Sequence, residues 1–341
     1  MVNPIPIHDD KFYFADGDLV LRSLPSSEGK VTLFRPHQTT MAYSSPVFSG
    51  MLGIPGEQEM YDGAPVVDLG DTAEELRALL DALHDPSAIT VSRWDPNAPL
   101  ILTPLMRVAS KYMADAIRER IIALLEEGCP RTFEQWVRFS AEQRALEQLY
   151  ATSPDPFNDG TGLSDRVPEP AALVRFACDF DVPTLLPFAF YTLASIPAAR
   201  TWTRPAGSPR VASRRYARWE LLDAGELARV LRGRETLSYI RENSKQWADY
   251  YFSAPTFLCI VPQHRRACSE RVLEVEDQWL QHIARKPMHT GCPDPLRIFE
   301  DAYYDAQAWK LCDDCTGKMR KWIREEQQRD IWDSLQDTFD L

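Results

Sequence analysis

Residues 12–52 decide the N-terminal fold, and their sequence is FYFADGDLVLRSLPSSEGKVTLFRPHQTTMAYSSPVFSGML. Two short apolar runs, residues 19–21 and 31–34, lie on either side of a polar segment that contains a glycine. Short apolar runs joined by a glycine-containing turn predict two strands of a hairpin. Ser45 suits the cap of a following helix, and Pro46 suits its first position because the missing N–H would be unpaired there.

The pattern continues with a further strand and more helices. Residues 65–69, PVVDL, predict the strand. Thr72 and Glu75 form a capping box before leucines at helical spacing, so one face of that helix is predicted to be buried. Thr103 with Pro104 predicts the start of another helical segment, whose apolar stripe covers residues 105–117.

The order of these elements resembles the start of a BTB/POZ domain. That family's pattern has an aspartate before a short apolar strand, a second strand, a histidine, and a helix with the spacing S-x-x-F. The matching residues here are Asp18, residues 19–21 and 32–34, His37, and Ser45 with Phe48. The resemblance covers residues 11–126 and implies an α+β domain, a short mixed sheet flanked by helices. It also implies structural roles for Asp18 and His37.

Residues 127–341 form the second predicted domain, which is mainly α-helical. Capping boxes at Thr132 and at Asp223 predict two of its helix starts. Residues 153–170 are rich in proline, glycine and aspartate and predict a flexible loop. The sequence GRE at residues 233–235 and the C-terminal residues 328–341 are similar to a class of BTB proteins abundant in mushroom-forming (basidiomycete) fungi.

The composition predicts a globular protein of the cytosol or nucleus. The 341 residues carry a formal net charge of -12. This argues against nucleic-acid binding, which needs clustered positive charge. No stretch approaches the roughly 20 apolar residues of a membrane helix, so we expect no membrane contact. Seven cysteines, an odd number, fit a reducing compartment better than a disulfide framework.

The two cysteines of the sequence CDDC, Cys312 and Cys315, form the sharpest chemical motif. Two thiolates at C-x-x-C spacing bind one zinc ion, and a structural site needs two more ligands. We predict that Cys259 and Cys268 are those ligands. The other upstream candidates are His264, His289 and Cys292. A redox pair would need a βαβ setting that this sequence lacks, and unliganded thiols are the remaining interpretation.

Common catalytic signatures are absent from the sequence, which contains no P-loop, G-x-G-x-x-G, H-E-x-x-H or G-x-S-x-G. Adjacent acidic residues such as Asp9 and Asp10 are predicted to face solvent and not to form an acid–base dyad. A solvated loop is the simpler interpretation of five clustered arginines, and phosphate or an acidic partner is the alternative. The arginines are Arg204, Arg210, Arg214, Arg215 and Arg218. We therefore predict that the chain is not an enzyme.

The family resemblance implies a protein-interaction module. BTB domains form homodimers or bind other proteins, and some serve as adaptors for cullin ubiquitin ligases. Phe12 and Phe14 are the predicted dimer contacts, and Phe48, Met51 and Leu52 are the predicted cullin-facing contacts. Packing inside the domain's own core is the alternative for each. The rival hypotheses are a metal-dependent enzyme in the helical half and a transcriptional regulator, although no DNA-binding module is recognisable.

Overall fold

The computed structural model describes residues 5–52, 59–203, 211–253, 259–271, 274–275 and 294–341. The chain divides into two compact units. The first comprises Met1–Gly128 with Asp179–Val182, and the second comprises Cys129–Cys178 with Pro183–Leu341. The predicted order, a mixed sheet with helices followed by a mainly helical region, is confirmed.

The sheet of the first unit is mixed. Its strands are β1 (Ile5–Tyr13), β2 (Val20–Arg22), β3 (Lys30–Arg35), β4 (Met60–Tyr61) and β5 (Ala64–Asp68). Their order across the sheet is β1-β3-β2-β5-β4. The predicted hairpin is formed by β2 and β3, and β4 is also antiparallel to β5. The β1–β3 and β2–β5 pairs are parallel. Gly29 has a φ of 73° in the hairpin turn, a left-handed conformation that favours glycine.

Five α-helices accompany the sheet in the described part of the first unit. They are α1 (Gln38–Ser44), α2 (Pro46–Leu52), α3 (Ala73–His84), α4 (Ala98–Lys111) and α5 (Asp115–Gly128). Ser45 caps α2 as predicted, because its Oγ accepts the backbone N–H of Phe48 at 3.1 Å. Thr72 and Glu75 form the predicted capping box of α3. The predicted apolar face of α3 is buried at Leu76, Leu79 and Leu80.

Two elements of the first unit differ from the prediction. The sequence analysis places Phe12 ahead of the first strand, but this residue lies inside β1. Helix α4 begins at Ala98, earlier than the predicted start at Thr103, and it continues through Pro104. A proline inside a helix removes one intrahelical hydrogen bond and crowds the carbonyl four residues earlier. Thr103 Oγ1 donates to the carbonyl of Pro99 at 2.7 Å in the same turn.

Helix dominates the described chain after Gly128. The helices are α6 (Phe133–Thr152), α7 (Pro170–Phe180), α8 (Leu186–Ser195), α9 (Ala224–Ser253), α10 (Pro295–Asp305), α11 (Asp313–Lys321), α12 (Arg329–Asp333) and α13 (Leu335–Phe339). A π-helical segment, Trp322–Gln328, joins α11 to α12. The capping boxes predicted at Thr132 and Asp223 are present. Among the described residues, none of the helices combines the length and apolar character needed to cross a membrane.

The segment predicted as a flexible loop, residues 153–170, contains local structure. A 3-10 helix covers Leu163–Arg166, and Leu163 is buried. Asp159 accepts a hydrogen bond from the Thr161 hydroxyl at 2.6 Å and forms an ion pair with Arg166. Side-chain bonds of this kind stabilise turns in place of a helix or strand ladder.

Candidate metal centre

Four cysteine thiols from two parts of the second unit meet at one point. They belong to Cys259, Cys268, Cys312 and Cys315, and the sulfur atoms all lie within 4.8 Å of one another. All four cysteines are free thiols in this structure. The predicted set of cysteines is therefore confirmed as a cluster, although 53 residues separate the first from the third.

Local structure places the thiols of the C-x-x-C motif on one side of a helix start. Cys312 occupies the cap position before α11, and Cys315 lies in the first turn. The backbone N–H of Thr316 donates to the carbonyl of Cys312 at 2.9 Å and closes that turn. Because residues three apart are neighbours on a helix surface, the motif's spacing brings both sulfurs to the same side.

The other pair of thiols comes from the short segment 259–271. Residues 265–271 are helical and include Cys268. The backbone N–H of Cys268 donates to the carbonyl of His264 at 2.8 Å. Arg265 Nε donates to the carbonyl of Cys259 at 3.1 Å, which holds the chain before the helical turn in place.

The separation of the sulfurs matches a metal site better than a disulfide. The Sγ atoms of Cys259 and Cys312 lie 3.7 Å apart. A disulfide bond is only about 2.05 Å long. Zinc binds thiolate sulfur at about 2.3 Å, so two sulfurs on the edge of a tetrahedron around zinc lie about 3.8 Å apart. The cluster therefore has the ligand type that zinc requires, and its Cys259–Cys312 separation matches one edge of the coordination tetrahedron.

The electrostatics of the cluster favour one thiolate before any cation binds. Burial opposes ionisation of Cys312, but the backbone N–H of Cys315 and the neighbouring thiols outweigh it and lower the pKa of Cys312 to about 6. Burial and neighbouring thiols raise the pKa of Cys268 and that of Cys315. A divalent cation would reverse those two increases, because a coordinating thiol is deprotonated outright.

The cluster is closed to solvent on most sides. Cys259, Cys268 and Cys315 are buried, and Cys312 is partly exposed. Val261 and Leu311 pack against the cysteines. Four protein sulfurs would complete a tetrahedral coordination sphere and leave no position for water or substrate. This is the arrangement of structural zinc sites rather than catalytic ones.

The remaining ligand candidates stay outside the cluster or outside the described residues. His264 is exposed and is not a member of the group of sulfurs. His289 and Cys292 lie outside the described residues. Cys129 and Cys178 lie elsewhere in the chain.

The predicted interface residues of the first unit are packed largely within that unit. Phe12 and Phe48 are 2% and 1% exposed. The ring of Phe48 stacks on Tyr112 with the centroids 4.5 Å apart. Three further interface candidates are half-buried, namely Phe14, Met51 and Leu52. Packing inside the core, the alternative to an interface role, accounts for Phe12 and Phe48.

Asp18 and His37 both contact neighbours at the start of α1. The Oδ1 atom of Asp18 accepts the backbone N–H of Gln38 at 2.6 Å. The side-chain amide of Gln38 donates to the carbonyl of Asp18, also at 2.6 Å. His37 Nε2 lies 3.4 Å from a carboxylate oxygen of Asp16, and its ring stacks on Phe14. Asp18 therefore secures the turn into the helix, and the acidic neighbour of His37 is Asp16.

Two predictions of solvent-facing charge are wrong. Asp9 is only 3% exposed, whereas its neighbour Asp10 is exposed. Arg218 is 8% exposed, and its guanidinium lies 4.3 Å from the ring centroid of Trp202. Arg204 and Arg210 lie outside the described residues.

Sequence reasoning missed a groove on the first unit. Its volume is about 850 Å³, and α1, α3 and the start of α5 line it. Tyr43, on its wall, is 94% exposed, and Met113 is 50% exposed. The groove was not predicted because the sequence analysis did not predict α1, and because the walls of the groove come from three separate elements.

Comparison with family models found none that matches this chain, and a search of curated proteins also found no match. Functional inference therefore depends on the geometry of the chain's own residues.

Proposed function

We propose that this chain is a protein-interaction protein whose helical unit is held together by one structural zinc ion. The proposal rests on the four cysteine sulfurs, which all lie within 4.8 Å of one another. A catalytic zinc keeps one coordination position open for water or substrate. Four cysteines with three of them buried support a structural ion instead, and this disfavours the metal-dependent enzyme.

The ion would act by joining two distant parts of the chain. Residues 259–271 supply two ligands, and α11 with its cap residue supplies the other two. Because the preformed set of ligands does not exist in an unfolded chain, the free energy of metal binding becomes free energy of folding. Zinc present at about 1,000 times its dissociation constant would contribute about 4 kcal/mol.

Metal content and thermal stability test the zinc proposal. We expect elemental analysis of the purified chain to find one zinc per molecule, and Cys312→Ser to lose it. The same substitution should lower Tm by about 8–16 °C, since about 4 kcal/mol of stabilisation is lost. Substitution with Co²⁺ should give the absorption of a tetrahedral thiolate complex.

Cys178→Ser is the matched control. Cys178 is a partly exposed free thiol in the second unit and lies outside the cluster. This variant should keep both the zinc and the wild-type Tm. Full zinc occupancy in Cys312→Ser, or wild-type protein that neither contains zinc nor gains Tm when zinc is added, would refute the proposal.

For the interaction role, we propose self-association of the first unit, as the BTB resemblance implies. The supporting observation is that β1 lies at the end of the strand order, so one of its edges has no strand partner among the described residues. An open edge presents unpaired backbone N–H and C=O groups and is a template for pairing with another chain. Ile5 and Ile7 on this strand are 59% and 43% exposed. Light scattering of the full chain tests the proposal.

A second copy of the same chain is the occupant that fits this edge. An isologous contact brings the same strand of each copy together in antiparallel order. Ile5 and Ile7 lie on the same face of β1, because successive side chains of a strand alternate between the two faces of the sheet. A two-fold contact along this edge therefore brings the same exposed apolar side chains of both copies to one face of the pair.

A further inference from the structure

A small polar cavity in the second unit is rich in arginine. Its volume is about 190 Å³. The walls come from α6, α8, the start of α10 and the residues around Arg214. Its charged lining residues are Arg200, Arg214, Arg215 and Arg297, with Glu147 and Asp294. Arginines outnumber carboxylates here by four to two in a chain whose net charge is -12.

Both carboxylates of the cavity have partners other than Arg214 and Arg215. Glu147 forms an ion pair with Arg297. Asp294 caps α10, where its Oδ1 accepts the backbone N–H of Arg297 at 3.2 Å. The same oxygen accepts the hydroxyl of Tyr191 at 2.5 Å. The acidic groups of the cavity are therefore engaged in holding α8 and α10.

Arg214 and Arg215 have no acidic partner within the part of the chain that the structure describes. The Arg215 guanidinium donates to the carbonyl of Pro168 at 3.2 Å, which is a neutral acceptor. Burial lowers the pKa of Arg215 to about 10, although Glu147, Asp294 and Glu169 act in the opposite direction from longer range. The positive charge of the half-buried Arg215 is thus only partly compensated by the acidic groups of the protein.

We propose that this cavity binds the phosphate group of a small ligand, with Arg214 and Arg215 as the recognising residues. The planar guanidinium presents parallel N–H donors that match phosphate oxygens in pairs. A phosphate group carries a charge near -2 at neutral pH and balances two unpaired guanidiniums, whereas a single carboxylate balances only one.

The size of the cavity limits the ligand. Pockets for drug-sized molecules have volumes of about 300–1,000 Å³. At about 190 Å³, this cavity accommodates inorganic phosphate or a compact phosphate monoester, and a nucleotide exceeds it. Thr192 and Ser213 also line the walls, and their hydroxyl groups can donate to the remaining oxygens.

Calorimetric titration of the full chain with inorganic phosphate tests the site. We expect saturable one-to-one binding that chloride at equal ionic strength does not reproduce. Arg214→Gln and Arg215→Gln should each weaken phosphate binding at least about 10-fold, because each removes hydrogen bonds to a charged group. Arg138→Gln is the matched control, since Arg138 is exposed on α6 and does not line the cavity. It should leave the affinity unchanged.

Two further measurements keep the result interpretable. Arg214 is exposed, so Arg214→Gln is expected to fold normally, and circular dichroism checks this for both variants. Phosphoserine as a second titrant distinguishes the source of the phosphate: tighter binding than inorganic phosphate assigns a monoester, and weaker binding assigns the free ion. Absence of saturable phosphate binding to folded wild-type protein would overturn the proposal. Equal affinities in the Arg138, Arg214 and Arg215 variants would overturn it too.

Discussion

At the scale of single residues, Asp9 anchors the edge strand of the sheet. Its Oδ1 atom accepts the backbone N–H groups of Lys11 at 3.0 Å and Phe12 at 2.9 Å. Its Oδ2 atom accepts Arg77 Nε at 2.8 Å. Burial opposes ionisation, but these hydrogen bonds outweigh it and lower the pKa of Asp9. The carboxylate therefore fastens β1 to α3 more strongly when it is charged.

Replacement of this carboxylate is expected to give a pH-dependent loss of stability. Because the folded pKa of Asp9 is lowered, its contribution is present above the unfolded value of about 3.9 and is lost as pH falls through the folded value. Asp9→Asn should lower the free energy of unfolding by about 1–2 kcal/mol at neutral pH. Urea denaturation at several pH values should show this difference shrinking below about pH 4.

The neighbouring residue supplies the control for that measurement. Asp10 is exposed, so Asp10→Asn should change the free energy of unfolding by less than about 0.5 kcal/mol at any pH. An Asp9→Asn loss of equal size at pH 3 and pH 7 would contradict the charge-based explanation. Sequence patterns did not distinguish the two residues, because β1 changes register against β3 between His8 and Tyr13. Strict alternation of buried and exposed residues does not hold there.

At the scale of elements, helix α9 packs closely against α13 at a glycine. A Cβ atom on Gly233 would lie 1.9 Å from a ring carbon of Phe339. Phe339 is 1% exposed, and its ring stacks on Phe190 with centroids 5.6 Å apart. The ring has no room to move aside, so the absence of a side chain at residue 233 permits the contact. The two segments singled out for their similarity to fungal BTB proteins thus meet here.

Gly233→Ala is expected to destabilise the protein by about 1–3 kcal/mol, because the added methyl group overpacks the contact with Phe339. Gly317→Ala is the matched control in α11, where a Cβ would meet nothing within 4 Å. It should instead stabilise the protein by about 0.5–1 kcal/mol, the ordinary helix preference for alanine. Chemical denaturation of both variants measures the two effects, and the same sign for both would refute the packing argument.

Elements governed by local interactions were the predictable ones. The caps at Ser45, Thr72 and Thr132 bond to residues three positions further along the chain, so a sequence window contains all the information. Strand β1 pairs with β3 in parallel, with Ile5 opposite Lys30, and no local pattern specifies such a partner. The start of α4 was missed for a similar reason. The helix begins ahead of the predicted start at Thr103, and its first residues, Ala98 and Pro99, are buried by the tertiary fold.

At the scale of the whole molecule, the two candidate sites differ in how far the sequence predicts them. The cysteine cluster was predictable because thiols are rare and the C-x-x-C spacing identifies two of the ligands directly. The sequence analysis named Arg214 and Arg215 within a larger arginine cluster, but the cavity itself was not predictable, because its walls combine α6, α8, α10 and the residues around Arg214. Only the tertiary fold shows that Glu147 and Asp294 bond to other groups while Arg214 and Arg215 remain available.

Self-association of the intact chain is the prediction that involves the whole molecule. We expect light scattering at tens of micromolar to give a molar mass near twice 38.9 kDa. Ile7→Lys should shift the chain toward monomer, because lysine on an open edge strand is a natural barrier to pairing. Leu24→Lys, an exposed apolar residue of the same unit outside β1, should leave the mass unchanged. Monomer formation by Tyr43→Lys but not by Ile7→Lys would move the interface to the groove, and a monomeric wild type would exclude self-association.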